Sequence, residues 1–376
     1  MLPYLKGKYG NPSSLHRIGR ASRDAVEEAR RKVARLLGAE EEEIFFTSGG
    51  TESVNMALKG MAIPHRRGHI ITSSIEHHAV LSTCRDLEDY YGFKITYLPV
   101  DRHGLVNPEF VGKAIRKSTV LVSIMHANNE TGTIEPLEEI SKIIKRVNVN
   151  RSEANLPRVY FHTDAVQTVG KWPVDVNILG VDMLSLSGHK FYGPKGIGAL
   201  YLRTGTPLHA LLHGGHHERN LRAGTENVPG IIGLGSACEL AEKGGGGGKD
   251  RNLVRLKEKL RRGILKRIDE VTVNSPPDAC LPGTLNVCFR YVEGESIALE
   301  LDLKGVSVSS GSACSAGSPE PSHVLTAIGV EPVVARGSVR FSLGRNNKEE
   351  EVDYVLDILP PIIRRLREMS PFYYAR

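Results

Sequence analysis

Seven short apolar runs punctuate the first two-thirds of the chain: EIFFT (43–47), HIIT (69–72), KITYL (94–98), TVLVSIM (119–125), RVYFH (158–162), DMLSL (182–186) and GALYL (198–202). Each has the length of a strand, and several are separated by amphipathic stretches such as ESVNMALKGMA and PLEEISKIIKRV that carry helical spacing. Strands alternating with helices predict an α/β fold with a largely parallel sheet and helices on both faces.

After the seventh run the texture changes. EKGGGGGKD (242–250) is the one low-complexity break, and five glycines each disfavour a helix by about 1 kcal/mol relative to alanine. It reads as an interruption near a domain boundary or as a surface loop. Beyond it come a helix in DRNLVRLKEKLRRGILKRI, strands in GTLNVCFRYV and VRFSLG, and a closing helix, EEEVDYVLDILPPIIRRLREM, expected to break at its prolines. The division predicted is a large domain over 1–248 and a smaller α+β domain over 249–376. No internal repeat is visible.

Several classes of function are disfavoured. The net charge of +6 is dispersed among acids, and only 6% of residues are aromatic, so no basic stripe with interleaved aromatics points to nucleic acid. Five scattered cysteines without a CxxC pair form neither a disulfide framework nor a structural zinc site. A reducing, cytoplasmic location is the expectation. MLPYLKGKYG has no apolar signal core, and no apolar stretch approaches the ~20 residues of a membrane span.

Ligands of open α/β sheets bind beyond the carboxyl ends of the strands. Five predicted strands end in polar clusters: SGGTES, SSIEHHAV, HANNETG, TDAVQ and SGHKFYGPKG. One polar turn is ordinary; five on one edge suggest a shared pocket. SGGTES starts a helix near Thr51 and offers either a phosphate-binding amide terminus or a plain capped start. Lys190 is either a surface lysine or an amine able to form a Schiff base with an aldehyde cofactor. Asp164 is either a helix cap or the partner of a cationic ring nitrogen. His213, His216 and His217 crowd one glycine-rich loop without a recognisable metal-ligand spacing. Cys314 stands alone in SSGSACSAGS, among small side chains. A lysine, an aspartate, a histidine and a phosphate turn on one edge, with a lone thiol elsewhere, fit a pyridoxal phosphate enzyme using a thiol nucleophile.

At these residues the chain resembles the cysteine desulfurases, the NifS/IscS-like group of class V aminotransferase-fold enzymes. FTSGGTES, EHHAVL, IMHANNETG, FHTDAVQTVGK, SGHKFYGPKGIGALY, RAGTENVPG, YVEGES, SSGSACSAGSPEPSHVL and VRFSLGR carry the resemblance nearly end to end. It implies the pyridoxal-phosphate-dependent transferase fold of type I, with a large domain, a smaller α+β C-terminal domain and pyridoxal 5'-phosphate as cofactor. Lys190 would bind the cofactor covalently and move protons at the substrate α-carbon. Asp164 would pair with the ring nitrogen, His77 would stack on the ring and serve acid–base steps, and Gln167 would bond the phenolic oxygen. Gly50, Thr51, Ser187 and His189 would hold the phosphate. Thr225 would reach the phosphate of a neighbouring subunit, which implies a homodimer. Asn129 would line the cofactor site and, with Arg340, hold the substrate carboxylate. Cys314 would attack the sulfur of L-cysteine, leaving alanine and a persulfide to be passed to an acceptor such as an iron–sulfur scaffold. Loop mobility around Cys314 is expected, since glycine relaxes backbone limits.

The resemblance also marks departures. Met1 falls just after the family's opening strand and its Asn-Ala-Thr-Thr-like segment, the glycine run replaces continuous helix, and the chain stops soon after LREMSPFYYAR. Docking of a scaffold through a longer tail is therefore not expected. The alternatives are a selenocysteine lyase, an ordinary aminotransferase, and an impaired or non-catalytic member lacking the opening segment.

Overall fold

The structure, a computed structural model, describes residues 1–244, 250–310, 321–371 and 373. Two compact units are resolved. The first comprises Met1–Leu98, Val106–His126 and Glu135–Gly248; the second comprises Pro99–Leu105, Ala127–Ile134 and Lys249–Arg376.

The first unit is built on a seven-stranded sheet. Its strands are β1 (Ile44–Thr47), β2 (His69–Ser73), β3 (Lys94–Leu98), β4 (Thr119–Ser123), β5 (Tyr160–Asp164), β6 (Met183–Ser187) and β7 (Gly198–Leu202). They lie in the order β1-β7-β6-β5-β4-β2-β3. Every apolar run read from the sequence is a strand. The pairs β2–β3, β2–β4, β4–β5 and β5–β6 are parallel, while β7 runs antiparallel to both β6 and β1. The connection from β6 to β7, residues 188–197, is shorter than the dozen or so residues a parallel crossover needs. β5 runs two residues later than the apolar pattern suggests, so Asp164 is its last residue rather than part of the following turn.

Buried on one side of this sheet are Val54, Leu58 and Met61 of helix Gly50–Ala62, with Ile70, Val80, Leu87, Leu121 and Leu200. A polar line crosses the sheet interior. His162, fully buried, bridges Ser123 Oγ through Nδ1 at 2.8 Å and Ser185 Oγ through Nε2 at 2.9 Å. Burial pulls its pKa down to about 3, so the ring is neutral and each nitrogen has a hydroxyl partner.

The second unit holds an antiparallel sheet of β8 (Val271–Val273), β9 (Thr284–Phe289), β10 (Ser309–Ser310) and β11 (Ser338–Ser342), ordered β10-β11-β9-β8. Leu256, Leu260 and Ile264 of helix Arg251–Arg267 pack with Val287, Phe289, Phe341, Leu356 and Leu359. The closing helix, Glu349–Glu368, corrects the expected break, for it continues through Pro360 and Pro361. A proline withholds one N–H from the carbonyl four residues earlier. For Pro360 that carbonyl belongs to Leu356, and Arg267 Nη1 donates to it at 2.7 Å. The glycines 245–248 and Cys314 lie outside the described residues.

Among the described residues no helix is long and apolar enough to cross a membrane.

Candidate active site

The carboxyl ends of β1, β2, β5 and β6 bring most of the sequence-selected residues to one edge of the first unit's sheet. β5 and β6 are neighbours with Asp164 opposite Ser185, so Asp164 and the turn bearing Lys190 leave adjacent strand ends. Asp164 is buried, and its Oδ1 accepts from the Val166 amide at 2.9 Å. Burial pushes its pKa up to about 6, against the Val166 bond and the Lys190 charge, which both favour the carboxylate. Lys190 is exposed, on the 3₁₀ turn Gly188–Phe191 that begins directly after β6.

A cradle for an anion lies beside them. Gly49 has φ of 152° and precedes helix Gly50–Ala62, whose first amides have no helical acceptor. A Cβ on Gly50 would stand 2.6 Å from Val166 Cγ2, so only glycine fits between this turn and the segment after β5. Ser187 Oγ and His189 Nδ1 are 3.0 Å apart at the end of β6. His189 is held below its ordinary pKa first by burial and then by the charges of Lys190, Lys195 and Lys171. Three lysines and a helix N-terminus make this end of the site electropositive. Thr51 is exposed in the first turn of that helix.

His77 caps helix His78–Tyr91: its Nδ1 accepts from the Ala79 amide at 3.1 Å. Its ring stands edge-on to His78, with centroids 6.4 Å apart. Gln167 is half-buried and its Oε1 accepts from Lys171 Nζ at 3.4 Å. Thr225 is exposed on the stretch after Arg222, which is itself tied to the cradle helix by a 2.9 Å ion pair with Glu52.

Arg340 and Asn129 belong to the second unit and meet there. Arg340, on β11, donates through Nη1 to the Asn129 carbonyl at 2.9 Å and through Nη2 to Ser309 Oγ at 3.1 Å. Two contacts leave further donors on the planar guanidinium, which suits a carboxylate. Cys314 lies outside the described residues.

Three acidic or imidazole groups escaped the sequence reading. Glu76 is fully buried; its Oε1 accepts from the Met125 amide at 2.9 Å and from Ser73 Oγ at 2.7 Å. Burial pushes it up to about 8. His126 is buried, donates its amide to the Asp164 carbonyl at 2.9 Å, and shares a 3.0 Å contact between Nδ1 and Thr168 Oγ1. Glu130 is buried beside Asn129. All three sit inside quoted motifs, but their burial has no local sequence signal. Among the described residues no group of three histidine, cysteine, aspartate or glutamate side chains is arranged to hold a metal ion, His213, His216 and His217 included.

The residues present fit pyridoxal 5'-phosphate. The tight glycine cradle and the electropositive end suit its phosphate, the exposed Lys190 amine its aldehyde, and the buried Asp164 carboxyl its cationic ring nitrogen.

Comparison with known proteins agrees. Residues 1–355 match the Aminotransferase class-V family. The chain is 56% identical over 378 residues to Cysteine desulfurase IscS of Dictyoglomus turgidum, covering 99% of this chain and 92% of that protein. It is 54% identical over 377 residues to Cysteine desulfurase IscS of Methanosarcina thermophila, covering 99% and 89%. Among solved structures, a NifS-like protein superposes with a TM-score of 0.88 at 41% identity, covering 97% of this chain and 94% of the other. A structure titled SspA in complex with cysteine gives a TM-score of 0.77 at 40% identity, covering 91% and 92%.

Proposed function

The chain belongs to the class-V aminotransferase family, and from that premise we propose that it is a pyridoxal-phosphate-dependent cysteine desulfurase. The single observation that carries this reading is the placement of Lys190 and buried Asp164 at the ends of the adjacent strands β6 and β5. Relatives named as cysteine desulfurases and a neighbour solved with cysteine support L-cysteine as substrate.

When bound, the cofactor supplies an electron sink for negative charge formed at the substrate α-carbon. The chain's own residues divide the remaining work. Lys190 Nζ takes and returns the proton at that carbon. Asp164, as a carboxylate, holds a proton on the ring nitrogen. His77 would stack on the ring, and Gln167 would hold its phenolic oxygen. Gly50, Thr51, Ser187 and His189 would seat the phosphate, Asn129 would line the site, and Arg340 with Asn129 would orient the substrate carboxylate. The Cys314 thiolate attacks the substrate sulfur, the Cβ–S bond breaks with its electron pair left on carbon, and that carbon is protonated. The products are L-alanine and a persulfide on Cys314, with atoms and electrons balanced.

We extend the reading in three ways. Residues 1–248 act as the cofactor-binding domain and 249–376 as the domain carrying the cysteine. The working form is a homodimer in which Thr225 serves the neighbouring site; its exposure supports this. The persulfide passes to an acceptor protein for iron–sulfur cluster assembly or another thio-transfer route, in the cytoplasm. The free thiols of Cys84, Cys238, Cys280 and Cys288 are consistent with a reducing compartment.

The test is release of alanine and sulfide from L-cysteine with added cofactor and a thiol reductant. Equal amounts of both are expected, with Lys190→Ala reduced to background. Alanine formation by Lys190→Ala at the wild-type rate would overturn the assignment, as would turnover of selenocysteine alone.

A further inference from the structure

One short turn of the second unit bonds the chain just after the segment that carries Cys314, and reaches the chain just before it through Arg340. The upstream side is β10, whose Ser309 pairs with Arg340 of β11 in the antiparallel ladder. Arg340 holds Ser309 a second time through Nη2, and its Nη1 is seated on the Asn129 carbonyl. The downstream side is Ser322, buried at the start of helix His323–Ala327. Its hydroxyl donates to Glu130 Oε2 at 2.6 Å and accepts from the Val324 and Leu325 amides at 3.2 and 3.3 Å. Asn129 and Glu130 are consecutive, so this turn bonds Ser322 directly through the Glu130 side chain and reaches Ser309 through Arg340. The turn that presents them is itself fixed, because Asn128 Oδ1 accepts from the Glu130 and Thr131 amides at 2.8 and 3.0 Å.

We propose that Glu130 is a positioning residue for sulfur transfer: through its bond to Ser322, beside the Asn129 carbonyl that seats Arg340, it anchors the chain where it resumes after the segment that carries Cys314. The proposal rests on the desulfurase reading. It explains why a carboxylate occupies this place. Glu130 is 8% exposed, and burial pushes its pKa up to about 7 against the Ser322 bond and the charge of Arg340. A buried carboxylate adds little to stability by itself. A short bond to a hydroxyl that simultaneously caps a helix does add directional constraint.

The test uses the holoenzyme and three variants: Glu130→Leu, Glu130→Gln and Ser322→Ala. Persulfide on Cys314 is followed in a single turnover with L-cysteine. Alkylation of Cys314 by iodoacetamide is followed by peptide mass analysis, with Cys280 as internal reference. Glu130→Leu should slow persulfide formation on the order of tenfold to a hundredfold, the scale of a misplaced reacting group. The KM for cysteine should stay within about twofold, as expected when ground-state binding is intact. The alkylation rate of Cys314 should change while that of Cys280 does not. Glu130→Gln, which still accepts from Ser322, should restore the rate. Ser322→Ala removes the same bond from the other side, so its effect should not add to that of Glu130→Leu.

Persulfide formation at the wild-type rate in both Glu130→Leu and Ser322→Ala, beside an active wild type, overturns the proposal alone. A rise in KM without loss of single-turnover rate also overturns it. A wild type that yields neither alanine nor persulfide overturns the desulfurase reading, and the proposal falls with it.

Discussion

Asp164 raises the proton affinity of Glu76: the two carboxyl groups are both buried in the first unit, and the charge of one disfavours the charge of the other. Burial is the larger cause, and together they push Glu76 from 4.5 to about 8. Glu76 thus holds its proton at neutral pH while Asp164 remains the group able to carry charge at the ring end of the site.

The first prediction concerns stability. A carboxyl whose folded pKa is raised stabilises the fold fully below its unfolded value and loses that contribution as pH rises through the folded one. For Glu76 the window runs from 4.5 to about 8. In the cofactor-free protein, the stability of Glu76→Gln relative to wild type should rise across this window, by no more than a few kcal/mol at about 1.4 kcal/mol per pKa unit. Urea midpoints measured from acid to mildly alkaline pH report it. A flat difference would mean that Glu76 ionises as easily folded as unfolded.

The second concerns cofactor affinity. Asp164 titrates at about 6 in the free protein, and a cationic ring nitrogen bound to it lowers that value. Binding therefore needs the carboxylate, and the affinity of the wild type should fall below about pH 6, approaching tenfold per unit. Asp164→Asn lacks this term. The wild-type advantage over it, read from bound-cofactor absorbance, should shrink on acidification; an advantage that grows instead would contradict the assigned pairing.

The third separates binding from sulfur transfer. Cys314→Ser should retain the cofactor and bind L-cysteine, with the accompanying change in absorbance, yet release sulfide only at background. Undiminished sulfide from this variant would remove Cys314 from the reaction.

The fourth isolates the helix repair. Arg267→Ala deprives the Leu356 carbonyl of its donor and should cost about 1 kcal/mol, the ordinary net worth of a hydrogen bond. In a Pro360→Ala background the amide of residue 360 can serve that carbonyl, so the same substitution should cost less. Equal losses in the two backgrounds would show that Arg267 acts through Asp357, its other partner at 2.7 Å, instead.

The seven strands were legible because each is a short apolar run bounded by polar turns, and their ends singled out the turn before Thr51, Asp164 and Lys190, whereas Gly50 and Ser187 came only with the family resemblance. Two further features were not legible, for one shared reason. The continuity of the helix through Pro360 depends on Arg267, which lies 89 positions before the Leu356 carbonyl it serves. The contact between Glu130 and Ser322 spans 192 positions, and nothing local to either residue announces it. A proline or a polar residue advertises a local preference, whereas the partner that overrides or employs it is supplied by the tertiary fold.

The order of the first sheet has a consequence for biosynthesis. β1, which leads into the glycine cradle, sits at the sheet edge and pairs only with β7, Thr47 opposite Gly198. At ~5–20 residues per second, roughly 8–30 s of translation separate the two strands. During that time Ile44, Phe45 and Phe46, all buried in the finished fold, have no sheet to join. The nascent chain must carry an apolar strand without its sheet partner until most of the first unit has been made.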